Sequence, residues 1–182
     1  MNLLVETAPD YIVVRGKKIK INSSFDAWVR FIIATKKEAD ADVGNALTQI
    51  FVEVPEGSPQ EVIVACMNWM LDKSTGEETK GDATSTTPAF DFEVDGNVIY
   101  CELWEYFPHL MTRGISYHEG MELIKLLLHN ENTMLWHRAF ARCGDFSKMD
   151  KERKQYWMKQ RATWAIKNQR QSDIDAVLST AF

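Results

Sequence analysis

Four histidines and three cysteines are the side chains best able to ligate a metal or to serve as nucleophile and base. His109 and His118, or His129 and His137, lie in the same stretch as Cys101 and Cys143, but their spacings match no zinc pattern, which needs close pairs such as C-x2-C or H-x3–5-H. His137 and Cys143 stand six residues apart in a helical pattern, which turns them to different faces and denies the thiol a base. The chain has no P-loop, no paired-glycine dinucleotide fingerprint after a strand, no HExxH and no GxSxG elbow. The histidines read as surface or boundary residues and the thiols as core or boundary residues. No catalytic residue, metal ligand or cofactor is expected.

A second constellation carries charge instead. Residues 151–170 hold seven basic groups (Lys151, Arg153, Lys154, Lys159, Arg161, Lys167, Arg170) against the single acid Glu152. That window is +6 in a chain of net charge −5, which leaves −11 for the rest. Trp157 and Trp164 recur at a seven-residue interval, as do Lys154 and Arg161, so the four share one helical face. Three readings fit. The tryptophans enter the core while cations face water, or the face docks an acidic protein, or the cations follow a phosphate backbone while the rings stack on bases. The candidate partner-binding residues are Lys154, Trp157, Arg161 and Trp164.

The elements that must position these residues are mostly helical. Tyr11 to Ile21 alternates about Arg15-Gly16-Lys17, a hairpin signal whose lysines form a solvated face. Three helices are predicted next. The first bears Phe25, Trp28, Val29 and Ile32 behind an approximate Ser23/Asp26 box, and the second starts near Asp40 or Asp42 and bears Val43, Leu47, Ile50 and Phe51. The third has the clearest start, Ser58-Pro59-Gln60-Glu61, with a cap, a first-turn proline and a glutamate able to reach back. Its stripe is Val62, Ala65, Cys66, Trp69 and Met70, a core helix with Cys66 as a small core residue.

Between Lys73 and Pro88 no large apolar residue occurs, so this stretch is expected to be a flexible linker. Phe90 to Phe107 admits two readings: alternation into Asp95-Gly96 is a hairpin turn, or Asp95 caps a helix bearing Val98, Ile99, Leu103 and Tyr106. Local rules lean to the hairpin, and Pro108 ends either version. Ser116 with Glu119 starts a further helix, another runs from near Thr133 to Cys143 with Gly144 as its stop, and the last starts near Ser147 or Asp150. The expected organisation is an N-terminal hairpin plus three-helix unit (1–72), a linker (73–89) and a C-terminal all-α unit (90–182).

Composition is that of a folded chain, 45% hydrophobic and 26% charged. At this length roughly 70% of the unfolded surface can be buried, so no staple or metal is needed. The pI near 5.4 disfavours a uniformly basic nucleic-acid binder. The longest apolar run, Val62 to Met67, is far short of a membrane span, which takes roughly 18 residues. The N-terminus lacks a signal pattern, and three widely spaced cysteines suit reduced thiols in a cytosol.

Three ordered pieces of the sequence resemble a phage family called bacteriophage gene product fifteen. They are Asn2-Leu3-Leu4 with Pro9-Asp10-Tyr11, Ile21-Asn22 and Phe25-Asp26-Ala27-Trp28; then Asp91-Phe92, Asp95 and Ile99-Tyr100; then the run from Asp145 to Trp157. The likeness covers about residues 2 to 164 and departs from the family pattern at Tyr106–Leu110 and at Tyr117-His118-Glu119. It implies a mainly α fold, an N-terminal β-hairpin packed on a helical bundle with a second small all-α unit, and it favours the helical reading of Asp95 to Phe107. It further implies a non-enzymatic tail assembly chaperone of long-tailed phages, which keeps the tape measure protein soluble and recruits tail tube subunits. Such a protein acts in the host cell cytoplasm and is absent from the mature virion. Its partners would be the tape measure protein and the major tail tube protein, with a homo-oligomer also open; neither a membrane nor nucleic acid is expected. The alternative is a nucleic-acid-binding phage regulatory protein using the basic helix 151–170.

Overall fold

A computed structural model describes residues 8–36, 40–53, 55–71 and 87–166. Among these the chain forms a two-stranded hairpin followed by eight helices: β1 (Tyr11–Val14), β2 (Lys17–Lys20), α1 (Phe25–Lys36), α2 (Asp40–Ile50), α3 (Pro59–Met70), α4 (Phe92–Tyr106), α5 (Pro108–Arg113), α6 (Tyr117–Leu128), α7 (Met134–Cys143) and α8 (Lys151–Thr163). The fold is therefore mainly helical with an N-terminal hairpin, as the sequence pattern predicts. Two compact units result, each built from two stretches of chain.

The first unit comprises the described residues within Met1–Asp82 together with Ile99–Leu127. Its hairpin turns at Arg15 (φ 49°) and Gly16 (φ 77°), both left-handed, which is what a two-residue turn needs to match strand twist. The register Ile12↔Ile19 and Val14↔Lys17 puts Ile12 and Val14 into the core and leaves the lysines exposed. A pair this short is marginal alone. Its stability comes from burying that face, and from Arg15, whose guanidinium grips the Glu61 carboxylate at 2.8–3.1 Å. Glu61 also closes the predicted capping box, accepting from Ser58 N at 2.7 Å while its own N–H donates to Ser58 Oγ. Arg15 foremost, then Ser58, hold the Glu61 carboxyl down at about 2.

The core of this unit is aromatic. Trp28 and Trp69 stack at 4.1 Å between ring centroids, 25° from parallel, and Tyr117 lies 6.0 and 5.9 Å from them. Each indole N–H donates to a carbonyl at 2.8 Å, Trp28 to Asn22 and Trp69 to Pro9, so neither buried donor is stranded. His118 meets the edge of Trp69 and its Nε2–H donates to Trp69 O at 3.0 Å. The entries to α1 and α6 are laced by an antiparallel bridge, with Phe25 N donating to Ile115 O and Tyr117 N to Ser23 O.

The expected boundary at 90 therefore does not follow the packing. Residues 99–127 cluster with the hairpin and α1–α3, because Tyr117 and His118 complete the tryptophan core. Most of the expected linker lies outside the described residues; Thr87 to Ala89 are placed, and the carbonyls of Thr87 and Ala89 are engaged by α7 as described below. The hairpin favoured by local rules at Asp95-Gly96 is absent, and the helical alternative starts earlier than Asp95. Asp91 is the cap, its Oδ1 accepting from Glu93 N and Val94 N at 2.8 and 3.0 Å. As expected, α4 stops before Pro108, which then opens the separate short α5.

The second unit comprises the described residues within Ala83–Val98 and Leu128–Phe182. Thr133 caps α7 by accepting from Trp136 N at 3.1 Å, and Asp150 caps α8 by accepting from Arg153 N at 2.9 Å. Between α7 and α8 lies an aromatic cluster of Trp136, His137, Phe140, Phe146 and Trp157, with neighbouring centroids 4.8–6.2 Å apart.

Candidate functional site

The most concentrated charge chemistry is buried in the second unit and was not foreseen from the sequence. Asp95, fully buried in the first turn of α4, receives both arms of Arg142 from α7, Nη1 to Oδ2 at 2.6 Å and Nη2 to Oδ1 at 2.9 Å. Arg138, one turn earlier, adds Nη1 to Oδ1 at 2.8 Å, and Asp91 N adds a donor to Oδ2 at 2.9 Å. Arg142 gives two further donors to carbonyls, Ala89 O at 3.1 Å and Trp164 O at 2.6 Å. Burial alone would push the Asp95 carboxyl up; the hydrogen bonds from Arg142 and Arg138 outweigh it and hold the group below its usual value. Every oxygen lone pair facing this site is met by protein, so the network is a knot joining the start of α4, α7 and the end of α8. It offers no free base or nucleophile. A lone Asp between two arginines four residues apart on a later helix has no sequence motif, which is why it went unread.

The residues singled out on the basic helix divide between two sides. Trp157 is half-buried against Phe140 at 4.9 Å and Phe146 at 6.2 Å. Arg161 donates Nε to Ala141 O at 2.7 Å and Nη2 to Gly144 O at 2.6 Å, satisfying the end of α7, and its guanidinium lies 4.3 Å over the Phe146 ring. Trp164 is half-buried and its carbonyl is the acceptor for Arg142. Three of the four residues thus serve the packing of α8 on α7, while Lys154 is exposed. Lys151, Arg153 and Lys159 are exposed with it, beside Tyr156 and Met158. Lys167 and Arg170 lie outside the described residues.

Elsewhere the exposed surface carries apolar side chains in ordered rows. On α3, Val64, Met67 and Leu71 are 50–60% exposed at i, i+3 and i+7, on the side opposite Val62, Cys66 and Trp69. On α4, Tyr100 and Trp104 are exposed one turn apart, rings edge to face at 6.4 Å. A shallow apolar groove of about 340 Å³ runs between α2 and the start of α3, lined by Leu47, Phe51, Pro55 and Val62 among others.

The thiols and imidazoles do not converge. Cys66 is fully buried, and burial pushes its thiol up to about 12, so it is an inert core residue. Cys101 is exposed on α4, and Cys143 is exposed with its thiol directed at Thr87 O, 3.3 Å away. Among the described residues no group of three His, Cys, Asp or Glu is placed to hold a metal ion, and no helix is long and apolar enough to cross a membrane. The chain matches no family model, no curated protein and no solved structure.

Proposed function

We propose that the chain is a tail assembly chaperone of long-tailed phages, a non-enzymatic protein that acts in the host cytoplasm and leaves before the virion is complete. In this reading it keeps the tape measure protein soluble and brings tail tube subunits to it. The observation that carries the proposal is the apolar outer row of α3. Val64, Met67 and Leu71 stand in water on a helix whose other face is already fully used by the core. A soluble chain retains such a row where another protein is to cover it. Three medium-sized side chains, one of them an adaptable methionine, give modest affinity per copy. Many copies along one long client then give strong retention without any single tight site.

The test is co-expression with the tape measure protein encoded in the same phage genome. The expected result is a soluble complex with the wild-type chain, and loss of client solubility with Val64→Glu combined with Met67→Glu, while the circular dichroism spectrum and melting transition of the chaperone stay the same. Both positions are exposed, so the substitutions leave the core intact. A tape measure protein that stays insoluble beside the wild-type chain refutes the proposal. The second reading, a nucleic-acid-binding regulator, draws on the exposed Lys151, Arg153, Lys154 and Lys159 of α8; it requires DNA retention that falls steeply with salt.

A further inference from the structure

The outer edge of the hairpin is open. Val14 and Lys17 flank the two-residue turn and so form a hydrogen-bonded pair, as do Ile12 and Ile19 further along. Ile21 N–H, donating to Asp10 O at 2.8 Å, continues the same ladder. The intervening Lys18 and Lys20 therefore turn their backbone N–H and C=O groups away from β1. On that side the sheet continues for one bridge, Ile21 to Phe51, with Asn22 N–H donating to Ile50 O at 2.7 Å. Beyond it a cavity of about 380 Å³ opens between β2 and the stretch bearing Val52, Glu53, Pro55 and Glu56. Among the described residues nothing bonds the Lys18 N–H, the Lys18 C=O or the Lys20 N–H.

The side chains along this edge select what can fill it. Lys17 is engaged by Glu56, Nζ to Oε2 at 2.6 Å. Lys18 and Lys20 have no carboxylate partner among the described residues, and Lys18 lies 4.3 Å over the Tyr11 ring. The two share one side of the strand, about 7 Å apart at the rise of two residues. With Glu53 as the other acid, the slot is net +1, Lys17, Lys18 and Lys20 against Glu53 and Glu56. On the opposite side of the hairpin stand Ile19 and Val14, with Val52 and Pro55 across the slot. We propose that β2 receives an extended acidic segment of another protein as a third strand, with carboxylates two residues apart facing Lys18 and Lys20 and an apolar side chain between them on Ile19. An extended segment is required because it alone presents backbone groups at the spacing of the open edge. An acidic one is required because edge lysines repel basic strands; β2 of a second copy would set lysine against lysine. What the α3 row binds has no bearing on this edge.

NMR on the isotope-labelled full-length chain, titrated with the blocked hexapeptide Val-Asp-Ile-Asp-Val-Thr, tests it. At saturation the peptide should shift the Lys18 and Lys20 amide signals and slow their hydrogen exchange at least about fivefold, while the Lys17 and Ile19 amides, which face β1, change little. Lys18→Glu with Lys20→Glu should weaken binding at least about tenfold, and raising salt from about 0.05 M to about 0.5 M should weaken it too. Glu53→Gln, which removes the opposing acid, should tighten binding about twofold. Lys18→Pro and Lys18→Gln both remove the charge, but only proline removes the outward N–H, so the proline form should bind about fivefold more weakly than the glutamine form. The β1–β2 ladder does not use that N–H, and circular dichroism verifies the fold of each variant. No binding at about 1 mM peptide, or equal binding by the wild type and the glutamate form, overturns the proposal. Equal binding by the proline and glutamine forms also overturns it, reducing the contact to ionic adhesion. So do Lys18 and Lys20 amides that already exchange slowly without peptide, which would mean that the chain or a second copy fills the edge. An oligothymidylate that displaces the peptide would assign the lysines to nucleic acid and overturns it as well.

Discussion

Replacing Arg142 with methionine removes the centre of the buried network and tests whether that network holds the second unit together. The side chain is 1% exposed and its partner Asp95 is 0% exposed, so water does not substitute for what is lost. Four contacts disappear: two to the Asp95 carboxylate, one to Ala89 O and one to Trp164 O. Breaking a buried pair by deleting one partner costs about 3–5 kcal/mol, chiefly because the remaining charge is left uncompensated. Arg138 still reaches Oδ1, which moderates that charge and places the expected loss at about 3–4 kcal/mol. Asp95→Asn combined with Arg142→Met removes the stranded charge, and the double variant should recover part of the loss. Equilibrium urea unfolding followed by circular dichroism at pH 7 measures each. The pH dependence gives a second check with a definite sign. Asp95 titrates below its unfolded value, so its contribution is complete above the unfolded carboxyl pKa of about 4 and is lost as pH falls through the lower native one. The gap between wild type and Arg142→Met should accordingly be flat from pH 6 to 8, by the same linkage, and narrow in acid. A loss below about 1 kcal/mol, or full additivity in the double variant, would refute the assignment of a stability role to the pair.

Two further substitutions probe the first unit. Trp69→Ala should cost about 3–5 kcal/mol, since it empties the stack on Trp28 and leaves Pro9 O without its donor; a loss under about 1 kcal/mol in urea unfolding would place Trp69 outside the core. Gly120→Ala should destabilise by about 1–2 kcal/mol although alanine is the better helix former, because the new methyl would collide with the Phe25 ring; a raised melting temperature would show that Phe25 swings aside.

The local grammar of the sequence was readable wherever the physics is local. The Ser58 box, the Gly16-centred turn, the helix starts near Thr133 and, of the two starts left open, at Asp150, and the burial of Cys66 all depend on residues within a turn or two, and each has the predicted geometry or position. Asp95-Gly96 shows where local rules fail. A dipeptide that favours a hairpin turn is held helical because Asp95 is neutralised by arginines more than forty residues away. The α8 stripe shows a different limit. The spacing of Trp157, Arg161 and Trp164 defines one face, but the pattern is the same whether that face meets α7 or a partner. The side toward α7 is set by Phe140, Phe146 and the free carbonyls at the end of α7, none of which belongs to the helix being read. The apolar run Val62 to Met67 reads as part of a core helix, whereas Val64 and Met67 within it are exposed, because only the side bearing Val62, Cys66 and Trp69 meets the core.

The discontinuity of the first unit bears on how the protein is made. Trp28 and Trp69 are synthesised early, yet His118, which bonds to Trp69 O, follows forty-nine residues later in the chain, beside Tyr117. On the ribosome, a nascent chain that has reached only α3 therefore displays a hairpin and three helices with an uncovered indole pair. It cannot close its core until α6 has left the exit tunnel. Because domains tend to fold as their residues emerge, this unit must wait for roughly the first two-thirds of the chain. A nonsense mutation or early translational stop before α6 should then yield aggregating fragments instead of a smaller folded protein.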